Sequence, residues 1–278
     1  MKILICGSSG FVGSKLRFFF QDKGDEVLAL RVRKETKLEE IAEQIEGADV
    51  LINLAGTPVF TRWNESYKKS LYDSRIQTTK KLVKAISLCH DKPKIFISTS
   101  AVGIYKSEEF SDENSGFSKS YLSKICQDWE DEAFKAKVPT TIFRFGAVLG
   151  KNGGVLKKMW LPFFLGLGGI VGSGKQFFSW VHIDDLCKAY EYIIEKRLEG
   201  VYNLCSPLPT TNLELTKSLA GLMKRPSFLP IPAFVIRLIF SEAASLILEG
   251  QRVMPKHLLA KGFDFKYKSI QDALKSLV

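Results

Sequence analysis

Histidine is scarce, three in 278 residues at positions 90, 182 and 257, and no second histidine or carboxylate cluster joins His182 and its neighbouring aspartates, so no metal is expected. The five cysteines (Cys6, Cys89, Cys126, Cys187, Cys205) are odd in number, widely scattered and free of any Cys-x-x-Cys spacing. That argues against a secreted disulfide framework and a zinc ribbon, and fits a reducing compartment. No long apolar run is present either. Pro162 and glycines break Met159 to Gly172, and Arg237 and Glu242 break Phe228 to Gly250, so neither stretch is expected to span a bilayer and no membrane partner is expected. The amino terminus meets a glycine-rich turn after a few apolar residues, too soon for a signal-peptide core, so a cytoplasmic location is expected. The formal charge of +10 comes without a sustained basic run, because Lys68, Lys69, Lys80, Lys81 and Lys84 are spread along one helical stretch. A solvated basic surface is therefore expected, and no nucleic-acid partner.

What the chain does contain is an alternation of strand and helix patterns. Lys2 to Cys6, Glu26 to Arg31, Val50 to Leu54, Lys94 to Thr99 and Thr140 to Phe145 read as strands, the first four each followed by a helical period. Such alternation predicts an α/β fold, a doubly wound parallel sheet covered on both faces. After Gly150 the pattern loosens into glycine-rich and aromatic segments, with Trp180 to Ile183, Leu186 to Glu195 and Val201 to Cys205 reading as late additions to the same sheet. The expected organisation is a nucleotide-binding domain over 1–150, completed by about 177–206, and a smaller substrate and C-terminal lobe from 151–176 and 207–278. Helices are expected near Ser118 to Ala136, Phe234 to Leu248 and Ser269 to Ser276.

Gly7, Ser8, Ser9, Gly10, Phe11, Val12 and Gly13 lie between the first strand and the first helix. There the missing side chains let the backbone approach a pyrophosphate at the helix's positive end. In a dinucleotide site an acid about twenty residues on would accept the ribose hydroxyls. That acid is absent: Arg31 holds the place, followed by Arg33 and Lys34, with no carboxylate until Glu35. Guanidinium groups pair with phosphate oxygens, so NADP(H) is the expected cofactor. Asn53, Leu54, Ala55 and Gly56 close the third strand at the carboxyl edge and are expected to wall the cofactor.

Ser98 to Tyr105, with Tyr121 and Lys124 on the next helix, resemble the extended short-chain dehydrogenase/reductase superfamily. Further motifs narrow the resemblance: Asn53 to Val59, Arg62-Trp63, Asp73-Ser74-Arg75, Cys126 to Glu130, Phe178 to Asp185 and Gly250 to Val253. Together they are similar to the atypical sugar-nucleotide epimerase-like group, the YfcH-like epimerase family proteins with their own carboxy-terminal domain. The resemblance implies a Rossmann core binding NADP(H) and a sugar-nucleotide-like precedent for a small-molecule substrate. By that analogy Ser100 holds a substrate oxygen, Tyr121 moves the proton, and a lysine four residues on lowers the tyrosine pKa. Here Ile125 occupies that place and Lys124 stands one residue short, about 100° around the helix. Arg75 is a second departure, standing where many extended members carry asparagine.

Arg62, Trp63 and Arg144 are candidate substrate contacts, and Gln251 and Arg252 weaker ones. Lys157 to Gly174 is expected to form a mobile apolar wall over the nicotinamide. His182 reads as a packed core residue, and Asp184 or Asp185 as a helix cap. The expected function is an oxidoreductase or epimerase acting on a small carbonyl or sugar-nucleotide-like substrate. A second class is a catalytically weak or silent NADPH-binding regulatory scaffold, which would explain the broken Tyr121/lysine pair; relatives of the group are linked to cell division. The long helices would permit a homodimer.

Overall fold

Every second residue of the first strand faces the same layer, and both layers are apolar. Ile3 and Ile5 enter one core cluster with Leu16 and Phe20, while Leu4 and Cys6 enter another with Ile41, Leu82 and Ile86. A strand buried on both faces belongs inside a covered parallel sheet. The computed structural model describes residues 1–107, 109–151 and 153–278.

In chain order the first half runs β1 (Lys2–Cys6), α1 (Phe11–Gln21), β2 (Glu26–Leu30), α2 (Leu38–Ile45), β3 (Val50–Asn53), α3 (Glu65–Leu88), β4 (Ile95–Ala101), β5 (Phe110–Ser111), α4 (Tyr121–Ala133) and β6 (Thr140–Phe145). The second half runs β7 (Ala147–Gly150), α5 (Gly154–Phe164), β8 (Phe177–Phe178), β9 (Trp180–His182), α6 (Ile183–Lys196), β10 (Gly200–Leu204), β11 (Thr210–Thr211), α7 (Asn212–Leu222), α8 (Ala233–Phe240), α9 (Ser245–Leu248), β12 (Arg252–Val253), α10 (Lys256–Ala260) and α11 (Ile270–Leu277). Six strands form one sheet in the order β2-β1-β3-β4-β6-β10, every pair parallel. The order reverses between β1 and β3, which opens a crevice at their carboxyl ends.

Two further cores lie outside the sheet. Trp63, Leu71, Ile104, Leu122 and Val253 pack α3 and α4 against the carboxy-terminal segment, and Leu156, Phe163, Leu215, Leu219 and Leu274 join α5, α7 and α11. Each fully buried Leu, Ile or Phe contributes roughly 1.5 to 3 kcal/mol, enough to hold the later segments to the sheet.

Several element boundaries differ from expectation for identifiable reasons. The helix expected over Phe234 to Leu248 is broken at Ser241, whose φ of 55° ends α8. The 3-10 turn that follows buries Ala243 and Ala244. The helix expected from Ser118 starts at Tyr121, because the Ser120 side chain accepts the Ser123 N–H and caps it. Part of the expected apolar wall is helix α5. The α7 helix had a readable start, Thr211-x-x-Glu214, whose reciprocal capping box is formed.

His182 and not an aspartate caps α6, its Nδ1 accepting the Asp184 N–H at 3.1 Å. Asp185 instead accepts the N–H groups of Lys266 and Tyr267 at 2.8 and 2.9 Å, tying the carboxy-terminal segment to α6.

Candidate active site

The crevice between β1 and β3 is built by close backbone approach. Gly7 has a φ of 87°, and a Cβ there would stand 3.0 Å from the Leu54 carbonyl carbon. At Gly13 a Cβ would fall 2.3 Å from the Gly7 oxygen, so α1 can start against the turn only without a side chain. Gly10 precedes α1 in extended conformation and supplies no side-chain cap, which leaves the first N–H groups of the helix for an anion. Ser8, Phe11 and Val12 are half-buried, and Ser9 and Gly10 are exposed at the mouth.

The opposite wall is Leu54, Ala55 and Gly56, held from below by Asn53. That side chain is fully buried and donates to Thr79 Oγ1 at 2.8 Å while its Oδ1 accepts the Ala55 N–H at 3.2 Å. Behind Gly56 lies Arg75. Its guanidinium donates to the carbonyls of Leu71 and Thr57 at 3.1 and 2.9 Å and stacks over Trp129, and burial lowers its pKa.

At the end of β2, Arg31 and Arg33 are exposed, and neither belongs to an ion pair among the described residues. Their loop is shaped by Lys81 of α3, whose Nζ donates to the carbonyls of Arg33, Lys34 and Thr36. The sequence held no sign of that role, because the contact crosses 45 residues or more. Gly150, Gly153 and Gly154 also have a use the sequence did not reveal. A Cβ at Gly153 would sit 1.9 Å from Phe11 Cδ2 and one at Gly150 2.5 Å from Phe11 Cζ, so these glycines leave room for the Phe11 ring at the head of α1. The residues present thus fit a phosphorylated dinucleotide: an uncapped helix terminus, a turn opened by Gly7, Gly10 and Gly13, and two guanidinium groups outside any ion pair among the described residues.

Beyond β4 the chain enters a 3-10 turn, Val102 to Ile104, and forms one wall of a cleft of about 280 Å³. Trp63, Tyr105 and Tyr121 line it together with Glu242, Glu249 and Gln251 from the carboxy-terminal segment. Trp63 is buried, its indole donating to the Val59 carbonyl. Arg62 is exposed and donates to the Leu238 carbonyl at 3.0 Å. Arg252, also exposed, lies over the rings of Phe110 and Phe177.

Ser100 is buried at the end of β4, its Oγ without a well-formed hydrogen bond and close to the Cys126 thiol. Tyr121, the first residue of α4, donates its hydroxyl to the Lys68 carbonyl at 2.9 Å; burial raises its pKa, opposed by the Lys68 charge.

Two expected site residues stand elsewhere. Arg144 is 3% exposed and does not reach the cleft. Its Nε and Nη2 donate to Glu130 at 2.9 and 2.7 Å and its Nη1 to the Tyr105 hydroxyl at 2.7 Å, so the cation is used inside the fold. Lys124 is on the solvent side of α4, while Ile125, one residue and 100° on, is 1% exposed. The inward place therefore carries no charge.

The fold and the glycine crevice define a Rossmann-type dinucleotide-binding protein. The model of the NAD dependent epimerase/dehydratase family matches residues 3–205, and the chain belongs to that family. Residues 231–277 match a domain of unknown function, DUF1731. The chain is 38% identical to the chloroplastic epimerase family protein SDR39U1 homolog of Arabidopsis thaliana, over all of this chain and 87% of that one. The crystal structure of human epimerase family protein SDR39U1 (isoform 2) with NADPH is similar with a TM-score of 0.92 and 33% identity, covering 100% of this chain and 99% of that chain. A nucleoside-diphosphate sugar epimerase from Corynebacterium glutamicum matches at a TM-score of 0.81 and 30% identity, over all of this chain and 58% of that one.

Proposed function

We propose that the protein binds NADP(H) in the β1–β3 crevice and carries out redox chemistry on a small uncharged carbonyl or alcohol in the adjoining cleft. The observation that carries the cofactor is the pair of exposed guanidinium groups, Arg31 and Arg33, in no ion pair among the described residues, where a ribose-binding carboxylate would stand. The NADPH in the human relative's structure supports the same reading.

A substrate without phosphate groups is favoured by the cleft's own charges. Lys119 is the one cation among its lining residues, beside Glu249 and a Glu242 already paired with Lys68, and Arg144, a candidate substrate contact, is paired with Glu130. Bound nicotinamide would supply or accept the hydride. In the reducing direction the carbonyl oxygen must then receive a proton, and the neutral Tyr121 phenol at the cleft wall is the group on hand.

Titration of NADPH and NADH tests the cofactor assignment. One or two charge-assisted bonds at the 2′-phosphate should favour NADPH by roughly tenfold to several-hundredfold. Arg31→Asp should remove most of that preference and leave NADH binding nearly unchanged. Equal wild-type affinities would refute the assignment.

The outward Lys124 and the inward Ile125 favour a second reading, a cofactor-binding scaffold with little turnover. NADPH oxidation against a panel of quinones, aldehydes and keto-sugars separates the two. In an enzyme, Tyr121→Phe should cost about 10² to 10⁴ in rate. In a scaffold no panel member is reduced, and Ile125→Lys brings no gain.

A further inference from the structure

Large apolar side chains exposed to solvent are concentrated in two segments of this protein, which lie against each other. On α5 and the turn after it, Leu161, Phe164, Leu165 and Leu167 are each more than half exposed. On the approach to α8 and on α8 itself, Phe228, Phe234, Leu238 and Ile239 are too. Only Phe18, Phe110 and Leu208 elsewhere among the described residues reach the same exposure.

The two segments are stitched side by side. Ile231 N donates to the Ile170 carbonyl at 2.8 Å and Gly172 N to the Ile231 carbonyl at 2.9 Å, and the Arg225 guanidinium lies 5.3 Å from the Phe164 ring centre. A contiguous apolar patch of this kind on a folded chain marks a docking surface.

The charges around the patch indicate what it docks to. No aspartate or glutamate occurs from 151 to 183 or from 215 to 241. The exposed charges of these segments that flank the patch are Lys157, Lys158, Lys224, Arg225 and Arg237, none of them in an ion pair among the described residues. A second copy pressing the same face would set these cations against their own images. An anionic layer with an apolar interior matches both features, because bulky side chains enter the acyl boundary while lysine and arginine reach back to the headgroups.

We propose that this face rests on an anionic lipid bilayer. No described helix is long and apolar enough to cross a membrane, and resting on one requires no span. The sequence expectation of no membrane partner considered only spanning length. The docked face borders the substrate cleft: Lys158 Nζ donates to the Phe60 carbonyl and Arg62 to that of Leu238, so the loop carrying Trp63 is fastened to both apolar segments.

The test is co-sedimentation of the full chain with vesicles of phosphatidylcholine alone and with about a third phosphatidylglycerol, the lipid mixture that supplies the anionic surface. Wild type should pellet with the anionic vesicles at low salt, weakly with the neutral ones, and less as salt rises. Leu161→Glu with Phe234→Glu should abolish pelleting. Removing each cation should weaken it roughly fivefold, so Lys224→Gln with Arg225→Gln should lower partitioning about 25-fold. Both double variants should keep the wild-type melting temperature, since all four side chains are exposed. Wild type left in the supernatant with anionic vesicles at low salt overturns the proposal. So does unchanged pelleting of both variants, which would put the contact elsewhere. Dimerisation abolished by Phe234→Glu without vesicle binding would assign the face to a second copy and likewise overturn it.

Discussion

At Gly13 one missing methyl group decides whether the cofactor crevice exists. The space a Cβ would need is held by the Gly7 carbonyl, a backbone atom that cannot swing aside. Gly13→Ala must push α1 away from the β1 turn, at about 1 to 3 kcal/mol, and displace the helix N–H groups that would meet the pyrophosphate. Denaturant unfolding should show that loss, and NADPH titration a weakening of at least about tenfold. Retained affinity in Gly13→Ala would mean that the cofactor does not use this turn. The glycine spacing was visible in the sequence because spacing is local. The partner of Arg144 was not, since Glu130 lies on α4 and Arg144 on β6, and only their packing brings the charges together. Lys81 was hidden for the same reason.

Between elements, the buried group around Arg144 joins three of them. Glu130 on α4, Arg144 on β6 and Asn203 on β10 meet through the Tyr105 hydroxyl, which donates to Asn203 Oδ1 at 2.8 Å. Desolvation and its two hydrogen-bonding partners push the Tyr105 pKa in opposite directions, and burial prevails, raising it to about 12. The phenol thus stays protonated and donates throughout the working range. Arg144→Met would leave the Glu130 carboxylate buried without its cation and should cost about 3 to 5 kcal/mol. The double variant Arg144→Met, Glu130→Met should recover most of the loss, because two apolar side chains of similar volume need no hydration. Urea unfolding of the three proteins checks this; a double variant as unstable as the single would mean that shape and not charge sets the cost. NADPH affinity should be unchanged in both, in keeping with the position of the pair inside the fold.

For the whole molecule, the pH dependence of stability has a defined direction through His182. The ring is 2% exposed and stacked on Tyr267 at 3.8 Å. Its Nδ1 accepts a backbone N–H, and Ser276 gives its own proton to the Ala273 carbonyl, so Nε2–H donates to Ser276 Oγ at 3.0 Å. Both nitrogens are suited to the neutral form, and burial pushes the pKa down to about 4. The unfolded chain takes up the proton near pH 6.5 and the folded one only near 4. Stability should therefore be flat in this respect above pH 6.5 and fall below it, by at most about 1.4 kcal/mol per unit and about 3 kcal/mol in all. His182→Gln should flatten the curve between pH 6.5 and 5. An unaltered slope would place the titration in other groups.

The alternation of strands and helices, the glycine turn and the basic end of β2 were all determined by the sequence itself, because each depends on neighbours within a turn or a strand length. Apolar periodicity selects the element, and missing side chains select the turn. The direction of Lys124, the enclosure of Arg144 and the break at Ser241 depended on packing between segments far apart in the chain. The same holds for the apolar face. Met159 to Gly172 and Phe228 to Gly250 read as apolar stretches too broken to span a bilayer, the first as part of a wall over the nicotinamide and the second as holding a helix, and nothing in either said which side chains would stay uncovered. Tertiary structure laid them side by side and left their outer surfaces uncovered, because α5 buries Leu156 and Phe163 against α7 and α11, and α8 buries only Ile236. A hydrophobic residue's identity sets what it gains on burial; the geometry of its neighbours decides whether it is buried.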